Sequence, residues 1–328
     1  MASLLESHDS LLLDLDGTVW EGDRPIGASV DIINACGLPC VYITNNASRS
    51  PGAVVDKLVG MGIKADAEHV LTSAQACLKL ASEELPAGAT VLVIGAESFR
   101  QLARQAGFNV VTSADDNPQA VLQGFDPAIG WAELTEAALA IRNGAKFYAS
   151  NLDTSLPMER GLAVGNGSLV AAVSTATGVE PASAGKPAAA MFTQAVQGIG
   201  SKAPLAVGDR LDTDIQGGNA AGVDTFHVLT GVSGPLALIE AEEDQRPNFI
   251  GESLQDINLP EAELRPGAQG GFHARVDGED IILSAGDPGA TPVQALRTVL
   301  EVAWAMPHSP RYVRPVSDAA DQATGAWW

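Results

Sequence analysis

Basic residues are scarce. Nineteen Lys and Arg stand against forty Asp and Glu, a net charge of −21. No local basic patch interrupts the excess, which excludes nucleic acid and anionic membrane surfaces as expected partners. Long apolar runs are missing as well. No segment reaches the roughly 18 apolar residues that a membrane span needs, and the opening stretch MASLLESHDS lacks a basic region followed by a long apolar one. A soluble, cytoplasmic protein is the expectation. Cysteine is rare: Cys36, Cys40 and Cys77 are odd in number, with no paired CxxC spacing and no His cluster nearby. That argues against zinc and against a disulfide framework, and it leaves buried free thiols as the preferred reading.

What the chain does have is apolar material in short, regular pieces. With 328 residues and 46% hydrophobic content, it exceeds the usual size of one domain, so two packed domains and a small third unit are expected. Strands are read at 11–15, 40–44, 90–95, 120–125, 145–150, 204–209 and 225–229, with amphipathic helical stretches between them. This spacing implies βαβ units and parallel sheets with helices on their faces. The carboxyl ends of such strands form a ligand crevice. Asp14, Thr44 and Asp209 all fall there.

The stretch LLLDLDGTVW, residues 11–20, ends an apolar run with Asp14 and Asp16. Residues i and i+2 of a strand share a face, and Gly17 permits a tight turn just beyond. Two carboxylates so placed repel, and a divalent cation offsets that cost economically. Hard oxygen ligands suit Mg²⁺. An Asx turn after the strand would explain one aspartate and not both. Three further pieces join this pair. VYITNNAS offers Thr44, Asn45 and Asn46 as uncharged donors suited to phosphate, although taken by itself a helix cap after a strand is the simpler reading. SAGKPAAA sets Lys186 at the start of an Ala-rich helix, where a cation is unfavourable unless an anion is present. LAVGDRLDTDIQGG ends a strand with Asp209 and adds Asp212 and Asp214; Asp212 is read as solvent-facing or as a cap.

These four pieces, in this order, resemble the haloacid dehalogenase superfamily, whose first motif is DxDGT. GDRLDTDI, with GLPCVYITNNASRSP, TSAQA and SNLDTSLPMERGL, is similar to its phosphatases with a large α/β cap, the NagD and para-nitrophenyl phosphatase branch, and in particular to the glycerol 3-phosphate and phosphoglycolate phosphatases of actinobacterial type. The likeness covers about residues 10–255. It implies an α/β fold: a Rossmann-like core with a parallel sheet at 1–77 and 181–257, an inserted α/β cap at 78–180, and a small C-terminal ββα extension at 262–328. It also implies roles. Asp14 would be the nucleophile, and Asp16 the acid and base that serves the leaving alcohol and the hydrolytic water. Mg²⁺ would be held by Asp14, the backbone carbonyl of Asp16 and Asp209, with Asp214 acting through a bound water. Thr44, Asn45, Asn46 and Lys186 would grip the phosphoryl oxygens. An aspartate at position 16, which the dehalogenases lack, points to phosphoryl chemistry.

The 140 residues between Asn46 and Lys186 are too many for a structureless loop, and they read as the inserted cap. SNLDTSLP falls where the resemblance places the specificity loop, making Asn151 and Asp153 candidates for contact with the leaving group; turn formation is the plain alternative. The loop is polar, carries Glu159 too, and has few aromatics. It offers hydrogen bonds for hydroxyls and no stacking platform, and its acidity disfavours a leaving group with its own carboxylate. Glycerol 3-phosphate is therefore the expected substrate, with phosphoglycolate, pyridoxal phosphate and broad sugar phosphate activity as alternatives. A phosphotransferase or phosphomutase would differ only in the acceptor. A non-catalytic protein that binds a phosphorylated metabolite is the reading from another class, and it would be expected to lose one of the acidic residues. Beyond residue 255, FHARVDGEDIILSA reads as a hairpin turning at Asp277 and Gly278, followed by a helix capped by Thr291 with Pro292 at its first position. So small a unit must dock on something, as a structural element or as an oligomer contact such as a homodimer.

Overall fold

The computed structural model describes residues 3–158 and 160–327, which fall into two compact units, Met1–Cys40 with Ile199–Trp328, and Val41–Gly198. In the first unit, the strands Phe249–Gly251, Asp224–Val228, Pro204–Gly208 and Ser10–Leu13 lie side by side in that order, all parallel. Leu11, Leu12 and Leu13 are essentially inaccessible, as are Leu205 to Val207. Unbroken apolar runs of this kind belong to parallel strands covered on both faces. Leu13 pairs with Val207, and the neighbouring strand runs one residue further, to Gly208. Asp14 and Asp209 are therefore the first residues beyond adjacent strand ends.

The C-terminal residues complete the same unit. Phe272–Asp277 and Asp280–Ala285 form an antiparallel hairpin, and Val313–Pro315 adds a third strand parallel to its second. The turn sits one residue later than expected: Asp277 pairs with Asp280, and Gly278, at φ +65°, takes the first central position. Glycine is at home there because a two-residue hairpin turn needs a positive φ. The helix Pro292–Ala303 starts as expected, with the Thr291 hydroxyl accepting from the Gln294 amide and the Gln294 side chain returning to the Thr291 amide. A second helix, Asp318–Gly325, was not anticipated; nor was the strand before it, since three residues ending in proline give no periodicity. Val293, Leu296 and Leu300 pack with Leu238, Ile239 and Ile250 of the parallel-sheet layer in one cluster. The C-terminal element thus docks within its own unit.

In the second unit, five parallel strands run in the order Ala182–Ser183, Lys146–Ala149, Ala120–Gln123, Thr90–Ile94, Asn109–Val111. One apolar cluster, with Phe99, Leu122 and Tyr148, covers one face. Another, with Val121, Phe147, Val170 and Val173, covers the other. Tyr42–Thr44 pairs in parallel with Val70–Thr72, which leads directly into the helix Ser73–Glu84 through a Thr72–Gln75 capping box. Residues 155–164, read as loop from sequence, form an antiparallel hairpin, Ser155–Met158 with Gly161–Val164. Glu159 lies outside the described residues. Among the described residues, no helix is long and apolar enough to cross a membrane.

Candidate active site

In the first unit, an acidic group is built at the ends of two strands. The strand ends at Leu13, two residues earlier than the sequence suggests, although the Asp14 amide still donates to the Val207 carbonyl at 2.9 Å. Asp14 and Asp16 consequently lie in a loop and do not share a strand face. The carboxylates of Asp14, Asp209 and Asp214 converge, with one oxygen from each within 4.8 Å of the others. Asp16 turns away from this group. Its Oδ1 accepts the Trp20 indole N–H at 2.7 Å, and its side chain is exposed.

The carboxylates of Asp209 and Asp214 are each fixed by the backbone around them. Asp209, fully buried, accepts from the Val232 amide at 2.7 Å, and its own carbonyl accepts from Ser233. Asp214 accepts from the Arg210 amide at 3.1 Å across a π-helical turn, Leu211–Ile215. This turn carries Asp214 inward, while Asp212 goes outward to pair with the Arg210 guanidinium at 2.7 and 3.0 Å. Close backbone approach demands glycine here. A Cβ on Gly17, itself at φ +92°, would meet Asp209 Oδ2 at 2.5 Å; one on Gly231 would overlap the same carboxylate, and one on Gly208 the side chain of Asp214. The Gly17 carbonyl is held by the Thr230 hydroxyl at 2.6 Å.

Three carboxylates so close are unstable as a bare group, since like charges at about 4 Å repel even in high dielectric. Their donor set is all oxygen. Ligands across an octahedral Mg²⁺ sit about 4.2 Å apart, so the spacing fits one such ion with small rotations. Asp14, Asp209 and Asp214 are the side chains that would hold it.

A polar group of candidate residues lies in the second unit. Thr44, buried at the end of its strand, accepts the Asn46 amide at 3.1 Å. Lys186 is 3% exposed, and its Nζ donates to the Ile43 carbonyl at 3.2 Å, which puts the ammonium at the same strand end as Thr44. Its helix, Ala189–Ile199, starts three residues later than Lys186 rather than at Pro187. Asn45 is occupied in an unforeseen way. Its Nδ2 donates to both oxygens of Asp153, at 3.0 and 3.1 Å, and to the Lys186 carbonyl at 3.0 Å, while its Oδ1 accepts the Lys186 amide at 2.9 Å. Asn45 therefore clips Lys186 to Asp153. Asn46 accepts from the amide and hydroxyl of Ser48, a local turn. Asn151 is buried, donating to the Asn45 carbonyl at 2.7 Å and accepting the Asp153 amide at 3.2 Å. Its side chain is used inside the loop.

Sequence reasoning missed Trp20 and the 230–233 segment. Trp20 stands four residues beyond Asp16 inside the quoted stretch, yet only the folded loop brings its indole back. TGVSG, after the strand Asp224–Val228, carries no ionisable group; its Thr230 hydroxyl holds the Gly17 carbonyl, and its glycine and the Val232 amide pack on Asp209. His227, also missed, is fully buried, with Nε2 donating to the Ser233 carbonyl at 2.9 Å and Nδ1 unpartnered.

A family model described as haloacid dehalogenase-like hydrolase matches residues 11–109, and a second hydrolase model of the same superfamily matches 183–257. A D-glycerol 3-phosphate phosphatase of Mycobacterium tuberculosis is 44% identical over 87% of this chain and 81% of its own length. An acid sugar phosphatase of Staphylococcus aureus is 38% identical over 79% of this chain and 99% of its own. Among solved structures, a glycerol phosphate phosphatase from M. tuberculosis in complex with magnesium superposes with a TM-score of 0.93 at 40% identity, covering 100% of this chain and 99% of that one.

Proposed function

We propose, from the premise that the chain belongs to the haloacid dehalogenase-like hydrolases and is a Mg²⁺-dependent phosphatase, that its substrate is glycerol 3-phosphate, cleaved to glycerol and phosphate. The carboxylate triad of Asp14, Asp209 and Asp214 carries this reading. It is a hard-cation site beside a nucleophile, at adjacent strand ends. The named activity of the M. tuberculosis relative supports the substrate.

In the proposed reaction, an oxygen of Asp14 attacks phosphorus in line, and the bond to the leaving alkoxide breaks as the aspartyl-phosphate forms. Asp16, held by the Trp20 indole and open to solvent, gives its proton to the leaving oxygen. It then takes one from the water that hydrolyses the aspartyl-phosphate. Thr44 and Lys186 contribute a hydroxyl and an ammonium for the phosphoryl oxygens, whose charge spreads in a loose transition state. Asn45 positions Lys186, and Asn46, Asn151 and Asp153 shape the loops that carry these groups. When bound, Mg²⁺ would offset part of the charge of the triad and the substrate.

Residues 78–180, which supply four of the five strands of a separate sheet, are proposed as the cap that limits the substrate to a small metabolite. The C-terminal element is proposed to be structural, because its helix is spent on its own unit. Sedimentation tests whether a homodimer forms in addition. The acid excess and the unpaired thiols support a cytoplasmic setting.

The S. aureus relative favours a second reading, a broad sugar phosphate phosphatase. Initial rates of phosphate release from glycerol 3-phosphate, phosphoglycolate, pyridoxal phosphate and hexose phosphates, measured side by side with Mg²⁺, decide between them. The glycerol 3-phosphate reading expects the highest kcat/KM for that ester. A tenfold or greater preference for another ester overturns it.

A further inference from the structure

Two of the three cysteines take no part in the phosphatase site, and they lie together. Cys36 ends the helix Ser29–Ala35, and Cys40 begins the strand Cys40–Thr44. Between them Gly37, at φ +68°, reverses the chain, so that residues four apart in sequence bring their sulfurs to 3.7 Å. Both thiols lean on one acceptor, the Leu38 carbonyl, at 3.7 Å from Cys36 and 3.6 Å from Cys40, and Cys36 also donates to the Ile33 carbonyl. Neither is deeply buried. Gly37 and Pro39 beside them are exposed, whereas Cys77 is sealed in the apolar core of the second unit.

We propose that Cys36 and Cys40 form a redox-active dithiol that closes to an intramolecular disulfide under hydroperoxide. The sulfurs must approach by about 1.7 Å to reach bonding distance. The turn of Gly37, Leu38 and Pro39 is the element that absorbs this movement. In the first step the sulfur of Cys36 attacks the peroxide, the O–O bond breaks, and Cys36 becomes a sulfenic acid as water leaves. In the second, the sulfur of Cys40 attacks that of Cys36. The S–S bond forms, the S–O bond breaks, and the departing hydroxide takes the Cys40 proton. Overall, two thiols and one hydrogen peroxide give one disulfide and two waters. Burial pushes the Cys40 thiol up, which disfavours it as the first sulfur to attack the peroxide. The disulfide would tie the start of the strand that ends at Thr44 to the end of the preceding helix.

The test uses the full-length protein. After exposure to hydrogen peroxide, remaining thiols are blocked with iodoacetamide under denaturing conditions, and peptides are mapped by mass. The expected result is loss of two of the three alkylatable thiols. The peptide carrying Cys36 and Cys40 becomes lighter than its reduced form by about two daltons, Cys77 stays alkylatable, and dithiothreitol restores all three. Cys36→Ser and Cys40→Ser should each abolish the two-dalton loss. A bridge to Cys77, a disulfide between chains, or sulfinic acid at Cys36 with Cys40 still free would each overturn the proposal. The wild-type map alone distinguishes these outcomes if a variant fails to fold.

Discussion

On the proposed mechanism, replacing Asp14 with asparagine exchanges the attacking carboxylate for a neutral amide of almost the same volume, so turnover should fall below about a thousandth of wild type while the fold persists. Asp16→Asn should come close to the same loss, because no other acid is held at that position by the Trp20 indole. Single-turnover release of alcohol measures both, and a residual rate above that limit in Asp14→Asn would remove covalent catalysis. Asn45 makes a separable prediction. Its amide engages Asp153 and both backbone groups of Lys186, so Asn45→Ala should raise KM for every phosphate ester alike, by about tenfold, as Lys186 loses its anchor. A substrate-selective effect would instead mean direct contact with the leaving group. His227 acts on stability. Burial pushes its imidazole down from 6.5 to about 4. Between these values the unfolded chain binds a proton that the folded chain refuses. Its contribution is therefore complete above about pH 6.5 and is lost as the pH falls toward 4, by an amount on the order of 3 kcal/mol. Urea midpoints across that window should fall with pH, and His227→Gln should flatten the slope.

At the scale of elements, the helix Pro292–Ala303 joins the hairpin to the parallel-sheet layer. Arg297 on this helix is 3% exposed; its Nε donates to the Ile250 carbonyl at 2.9 Å and its Nη2 to the same oxygen. Burial lowers its affinity for its proton, while Asp256, Glu252 and Glu263 act in the other sense. Trp304, at the helix end, donates to the Leu238 carbonyl at 2.9 Å. Arg297→Ala leaves the Ile250 carbonyl without these donors and opens a cavity, at a cost of about 2–4 kcal/mol. Calorimetry should show a single lowered transition; an unchanged melting temperature would mean that the helix docks by its apolar stripe alone. The helix and its Thr291 cap were legible because capping and 3.6-residue periodicity are local. Val313–Pro315 was not, since its partner strand lies about 30 residues earlier and its own residues repeat nothing.

At the scale of the molecule, a net charge of −21 and a buried triad of carboxylates make a dianionic substrate unwelcome without a cation. Chelation with EDTA should silence the enzyme, and Mg²⁺ should restore it. Ca²⁺, which accepts more ligands in looser geometry, should occupy the site and support poor turnover. Thermal shift and phosphate release, measured on the same samples, separate binding from turnover, and full activity in metal-free buffer would refute the requirement.

The sequence by itself determined the alternation of strand and helix, which strands carry the acidic groups near their carboxyl ends, and the identity of the acidic, hydroxyl and lysine groups. All of these are written locally, in apolar runs, in turn residues, and in motifs of a few adjacent positions. Tertiary structure decided which of those groups keep company. Asp14 and Asp16 are near neighbours in the chain, yet one joins Asp209 and Asp214 and the other a tryptophan, because the strand stops at Leu13 and the loop beyond it folds back. Asn45, Asp153 and Lys186 lie more than a hundred residues apart at their extremes, and only the packed second unit makes one amide serve both of the others. The glycines at 17, 208 and 231 matter through the side chains pressed against them, and such close approach between distant segments leaves no local pattern in a sequence.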